Sequence, residues 1–231
     1  MGGHMIEINA RKNKPYYSQR NNTLRPFISC NVTSMVAALD YSGYTFPTDP
    51  QYNQPEDSLL NFLLNSPEID KEYAKVYPTE YQKYIKSGKN PKVSYPPNEL
   101  HTLLSNGTNL WMGKKRGEIT KLRWDLTFQE VLFEFLQGRP VVISGAFGNL
   151  RHIVCAVGFD TEQENIKEVL KLQDIDVLKV KSIIIEDPYG DYKTSYLNPQ
   201  GKDIRMPVSD FHTKINVQNQ PQKWGHLFIP A

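Results

Sequence analysis

The sequence of 231 residues predicts an α+β fold, with helices in its first half and sheet in its second. Three observations carry that expectation. Val32, Met35, Val36 and Leu39 recur at i, i+3, i+4 and i+7, which is one face of an α-helix. Residues 140–144, 152–159 and 181–186 are apolar runs of strand length. Ahead of them, Thr127-Phe128-Gln129-Glu130 forms a capping box that opens an amphipathic helix ending at Gly138. The 16 prolines and 14 glycines follow no period, which excludes a helical bundle or a coiled coil.

In chain order, Met1-Gly2-Gly3-His4-Met5 reads as a vector-derived scar, so His4 is set aside and residues 6–231 read as one domain. Residues 6–28 are polar and aromatic, with Pro15 to Gln19 as a short extended piece. Cys30 begins the first helix, with Ser29 placed to cap it and Gly43 closing it. Residues 56–64 read as a second helix on a stripe of Leu59, Leu60, Leu63 and Leu64. Residues 69–86 read as helical with a break at Pro78, and 87–91 as a loop. Residues 97–105 read as a short helix, with proline in its first turn and Gly107 beyond its end. These pieces make a helical insertion near 44–107. Residues 108–112, 119–124 and 224–229 read as strands, and the charged stretch 160–180 as an inserted helix with Ile166, Val169 and Leu170 on one side. No internal repeat or low-complexity linker separates the halves, so the reading is one domain with two lobes.

Composition excludes several classes. A hydrophobic content of 39% and a charged content of 23% suit a globule. The net charge of +2, with both signs interspersed, gives no reason to expect nucleic acid as partner. No apolar run approaches a membrane span, so no membrane insertion is expected. Two cysteines do not make a disulfide framework. No secretory signal follows Met5, and the expectation is a monomer made in the cytoplasm with release toward the cell wall. There is no phosphate-binding glycine loop and no zinc-ligand spacing, so no cofactor or metal is expected. Asp187, Asp191 and Asp203 lack the spacing of an EF-hand loop and read as a solvated turn. Cys155, Trp111 and Trp124 read as packing residues, and Lys114-Lys115-Arg116 as a solvated loop.

The chemistry-bearing residues are few. A helix N-terminus presents free N–H groups and partial positive charge, which favours a thiolate at Cys30. On this stretch alone, a nucleophile and a small buried core residue fit equally well. A cysteine nucleophile needs a base, and the base needs an orienting partner. His101 reads as lying on a polar helix flank, His212 in a surface turn, and His226 near the C-terminus. His152 opens an apolar strand just after the loop 145–151, where a histidine is fixed yet able to face a cleft. Asp187 ends another apolar run, before the turn Pro188-Tyr189-Gly190, and can set an imidazole tautomer. Asp160 and Asp191 are rival carboxylates, and position alone does not decide among the three. Gln19, eleven residues before Cys30, and the Cys30 N–H are candidate oxyanion donors.

In their order, these residues resemble a known family. Pro15-Tyr16-Tyr17-Ser18-Gln19-Arg20, Cys30-Asn31-Val32-Thr33-Ser34-Met35, Gly138-Arg139-Pro140-Val141-Val142-Ile143, His152 to Gly158, and Ile185-Glu186-Asp187-Pro188-Tyr189-Gly190 are similar to motifs of the double-glycine-leader (bacteriocin-processing) peptidases, which are papain-like cysteine peptidases. The motifs span residues 15–195. The resemblance implies a papain-like fold, with the cysteine in a helical lobe and the histidine and aspartate in an antiparallel sheet lobe. It implies Cys30 as nucleophile, His152 as base, Asp187 as its orienting partner and Gln19 as oxyanion donor. Many relatives carry Gly-Pro after the cysteine; this chain has Asn31-Val32, which alters the cleft beside the nucleophile. No transporter portion is attached, which argues against a secretion-coupled leader peptidase. The chain looks more like stand-alone bacterial or phage members, some of which act on cell-wall peptides. A peptide, in particular a peptidoglycan peptide cut by a lysin, is the expected substrate. A transglutaminase-like acyl transferase and a catalytically silent peptide-binding module are the alternatives.

Overall fold

The computed structural model describes residues 4–88, 100–147, 150–215 and 223–231, and for Leu150 and Arg151 only the backbone. Residues 1–3 of the expected scar, the 89–91 part of the expected loop, the start of the helix expected over 97–105, and residues 148–149 of the loop expected over 145–151 lie outside the described residues. The elements run β1 (Ile6–Asn9), α1 (Cys30–Tyr41), α2 (Pro55–Asn65), α3 (Pro67–Val76), α4 (Pro78–Ser87), α5 (His101–Trp111), β2 (Thr120–Leu126), α6 (Phe128–Leu136), β3 (Val141–Phe147), β4 (Leu150–Thr161), β5 (Val180–Glu186), β6 (Ile204–Pro207), α7 (Val208–Lys214) and β7 (Lys223–Phe228). The strands form an antiparallel sheet in the order β2-β7-β3-β4-β5-β6, with β1 also paired to β4. This is the α+β arrangement expected: a helical lobe that begins with Cys30 and an antiparallel sheet lobe that holds His152 and Asp187.

The central strand β4 divides the core by its period of two. Ile153, Cys155 and Val157 join α1, α2, α3 and α5 in one apolar cluster. Val154 and Ala156 join α6 and α7 in the other. The β4–β5 register shifts between Ala156 and Gly158, and after that irregularity Phe159 falls into the second cluster, as a one-residue slip requires. Helix α1 is buried on every side from Asn31 to Tyr41, so the apolar stripe that identified it is only part of its contact surface. Its polar residues are matched individually. Ser34 Oγ donates to the Ile153 carbonyl at 3.2 Å, and Asp40 accepts from Lys14 at 2.9 Å and Tyr17 at 3.1 Å. The Ser34 bond fastens the helix that starts at Cys30 to the strand that carries His152, and the Asp40 bonds fasten it to the segment before it. Among the described residues no helix is long and apolar enough to cross a membrane.

Several expectations are corrected. The strand expected at 108–112 is the second half of α5, which runs straight through Gly107. A Cβ there would stand 2.3 Å from Leu63 Cδ2 and 3.1 Å from Ile69 Cδ1, so this glycine serves close helix packing and not helix termination. The helix expected over 160–180 is three short 3₁₀ turns. Gln163 clamps them by donating to the Asp174 carbonyl at 2.9 Å and accepting from the Asp176 N–H at 2.8 Å. Ile166 and Val169 are buried there, whereas Leu170 faces solvent. Strand β1 was not anticipated. His212 lies exposed in α7, and Trp124 is exposed where packing was expected.

His101 is not on a polar flank but buried, its Nδ1 3.1 Å from Nε2 of the equally buried His226 on β7. Burial holds His101 down to about 3; burial, reinforced by the neighbouring His101, holds His226 well below its ordinary 6.5. Both rings are therefore neutral in the folded state, while the unfolded chain protonates them below about pH 6.5. The unfolded state then binds more protons, so stability is lost as pH falls through that range. The pair's contribution is opposed over the same range by the buried Glu56 and Glu186, which burial pushes up to about 7 and about 8, so that the folded state holds protons there that the unfolded chain lacks. A His101→Gln/His226→Gln variant, which cannot titrate at these positions, isolates the pair: the difference between the unfolding midpoints of wild type and variant is expected to move in the variant's favour as pH falls from about 6.5 to 5.

Candidate active site

Cys30 stands at the first position of α1, partly exposed, and both Cys30 and Cys155 are free thiols. Ser29 occupies the cap position, but its side chain does not cap the helix as expected. Instead its hydroxyl accepts from Asn22 Nδ2 at 2.9 Å, and the same Nδ2 donates to Thr33 at 3.0 Å. Asn31 Oδ1 accepts from the Val32 N–H at 2.9 Å, so the residue in place of the family glycine binds a first-turn amide.

His152 is the third residue of β4, paired with Gly145 of β3. It therefore lies inside the hairpin strand, two residues further in than expected. Its Nε2 lies 2.6 Å from Asp187 Oδ1, at the end of β5. Strands β4 and β5 are neighbours with Cys155 opposite Glu186, so Asp187 leaves β5 beside the first residues of β4. Cys30 lies near enough to the ring for its side chain to act on the imidazole. Burial favours the neutral ring, but the charges of Asp187 and Cys30 and their hydrogen bonds outweigh it and push His152 up to about 10. The aromatic rings of Phe147, Tyr189 and Tyr196 stand around the imidazole at 5.9, 6.4 and 6.0 Å.

Asp187 is fully buried, and its Oδ2 has no hydrogen-bond partner among the described residues, whereas its Oδ1 and backbone are held. Its Oδ1 also accepts from the Tyr189 N–H at 2.9 Å, its carbonyl accepts from the Tyr16 hydroxyl at 2.6 Å, and its own N–H donates to the Gly201 carbonyl at 2.8 Å. Gly201 comes so close that a Cβ would stand 1.9 Å from the Asp187 carbonyl oxygen. The rival carboxylates lie elsewhere. Asp160 accepts from Ser182 at 2.6 Å and pairs with Arg205 at 3.0 Å, and Asp191 caps a 3₁₀ turn. Asp203 pairs with Arg11 at 2.8 Å.

Gln19 is buried in a short 3₁₀ turn whose cap is Ser18. Its backbone N–H donates to the Pro188 carbonyl at 2.8 Å, beside Asp187, and its Nε2 donates to the Pro26 carbonyl at 2.8 Å. Only one of the two Nε2 hydrogens is used in that bond. Next to it, Arg20 donates to the carbonyls of Tyr189 at 2.6 Å and Tyr196 at 2.8 Å, and its guanidinium lies 4.4 Å from the centre of the Tyr189 ring. Sequence reasoning did not single out Asn22, Arg20 or Tyr196. Ser195 and Tyr196 have φ of 53° and 64°, left-handed values that cost about 1 kcal/mol or more for residues with a Cβ. Neither residue type announces that conformation, so only the folded backbone reveals Tyr196 beside the imidazole.

A helix-start thiol, an imidazole and a buried carboxylate, borne on two lobes, define the papain-like arrangement. The family model described as the Peptidase_C39 like family matches residues 11–203, and the chain belongs to that family. A crystal structure from Bacillus anthracis, described as a C39-like peptidase, is similar over 98% of each chain, with a TM-score of 0.53 and 17% identity. That likeness concerns the fold. No curated protein matches the chain. Family and fold together support a cysteine-peptidase-like hydrolase.

The ring keeps its proton to about 10 because of Asp187 first among the favourable influences. Asp187→Asn is expected to lower turnover on the order of 100-fold and to move the alkaline limb of the pH–rate profile down, toward or below the ordinary histidine value. A pH series of kcat/KM on both forms checks this.

Proposed function

We propose that the protein is a cysteine peptidase in which Cys30, His152, Asp187 and Gln19 carry the reaction. The observation behind this reading is the 2.6 Å bond from His152 Nε2 to Asp187 Oδ1, which leaves the opposite nitrogen for the Cys30 thiol. With the imidazole protonated, the Cys30 thiolate attacks a peptide carbonyl carbon. The oxyanion that forms is met by the second Nε2 hydrogen of Gln19 and the Cys30 N–H. His152 gives its proton to the departing amine, leaving an acyl-enzyme. The ring, now neutral, takes a proton from water as the water attacks the acyl carbon. The thioester C–S bond then breaks, which frees the acid and the Cys30 thiolate, and the proton taken from water leaves the imidazole in its cationic form. Asp187 fixes the tautomer throughout.

The substrate in this reading is a peptide, and a stand-alone bacterial or phage role on peptidoglycan peptides is its narrower form. Mass spectrometry of digested cell walls and of a peptide mixture, with and without an added primary amine, identifies the bond cut and separates hydrolysis from acyl transfer.

Cys30→Ala is expected to abolish turnover. Iodoacetamide is expected to modify Cys30 well before Cys155, because burial pushes the Cys155 thiol well above its ordinary value. Peptide mapping after timed alkylation reads both rates. Full activity in Cys30→Ala would falsify the mechanism.

A further inference from the structure

Exposed bulky apolar side chains lie on two chain segments that adjoin residues of the candidate site in sequence. Phe27 and Ile28 are 78% and 60% exposed, and they are the third and second residues before Cys30. Leu197 is 87% exposed and follows Tyr196, whose ring stands 6.0 Å from His152. Single exposed apolar residues are ordinary on protein surfaces, but neighbouring ones beside a reactive group mark a binding surface.

Both segments are fastened to the stretch from Gln19 to Asn22. Gln19 Nε2 holds the carbonyl of Pro26, immediately before Phe27. Asn22 holds the hydroxyl of Ser29, immediately after Ile28. Arg20 holds the carbonyl of Tyr196, immediately before Leu197. Thr23 and Leu24, earlier in the first segment, donate their N–H groups to Asp57 of α2 at 2.8 and 2.7 Å. The pair Phe27–Ile28 is thus carried on a short segment braced at both ends, on the nucleophile side of the site. Leu197 stands on the histidine and aspartate side.

We propose that Phe27, Ile28 and Leu197 form an apolar rim that selects peptides with a bulky apolar side chain next to the scissile bond. The inference rests on the peptidase reading and names its substrate class. A peptide extended over Cys30 passes between the two segments, and side chains flanking the bond remove Phe27, Ile28 and Leu197 from water. Peptides with alanine, glycine or charged residues at those positions leave the rim hydrated.

The test uses a library of internally quenched peptides that varies the two residues flanking the cut. It is assayed with the wild type, Phe27→Ser/Ile28→Ser and Leu197→Ser. The wild type is expected to favour Phe, Leu, Ile or Met over Ala by about 10-fold or more in kcat/KM. The serine variants are expected to bring that ratio toward one, with the unfolding midpoint reporting an intact fold. Binding of the same peptides to Cys30→Ala, followed by fluorescence anisotropy, is expected to show the same preference. Turnover without an apolar preference, or a preference that survives both variants, rejects the rim and keeps the peptidase. Rim-dependent binding with no turnover of any peptide keeps the rim and rejects the peptidase. Neither binding nor turnover rejects both.

Discussion

The bond between His152 and Asp187 is the constraint on which the rest of the site depends. At 2.6 Å, with the carboxylate fully buried, it fixes the ring plane and determines which nitrogen meets Cys30. A buried carboxylate carries a large desolvation cost unless it is well bonded. Here the imidazole and the Tyr189 N–H offset part of it at Oδ1, while Oδ2 has no partner among the described residues. The surrounding chain is shaped to hold that carboxylate in place, through Tyr16, Gly201 and the turn after β5.

The fold follows from the same need. β4 and β5 are adjacent antiparallel strands, so histidine and aspartate come together although 35 residues separate them. α1 lies against β4, with Ser34 bonded to Ile153, so Cys30 reaches the histidine from the other lobe. The segment from Tyr16 to Arg20 then runs along the turn after β5, joined to Asp187, Pro188 and Tyr189 by successive hydrogen bonds. That segment brings Gln19 beside the turn that follows Asp187 with no regular secondary structure beyond a single 3₁₀ turn. Each lobe carries part of the candidate site, and polar bonds between them hold the parts together.

Much of this was legible from local pattern. The periodicity of α1, the capping box at Thr127 and the apolar runs of β3, β4 and β5 are signals written in adjacent residues. Cys30, His152 and Asp187 were legible as candidates because each is a reactive residue type at or near an element end. What stayed hidden depends on distant partners. Gly107 reads as a helix stop until Leu63 and Ile69 are seen pressing on it. His101 reads as surface until His226, 125 residues away, is placed against it. The choice of Asp187 over Asp160 rested on register, since Asp160 lies at the far end of β4 with Ser182 and Arg205. Ser29 shows the same limit at short range: a good cap residue was diverted to Asn22 by tertiary contact.

The central claim is that His152 is held as an imidazolium between a thiol group and a buried carboxylate. The most direct measurement is the ¹⁵N NMR titration of the His152 ring nitrogens in the resting protein. The account predicts two protonated ring nitrogens through neutral pH, with deprotonation toward about 10. A ring that is already neutral at pH 7, with one unprotonated nitrogen, would contradict it.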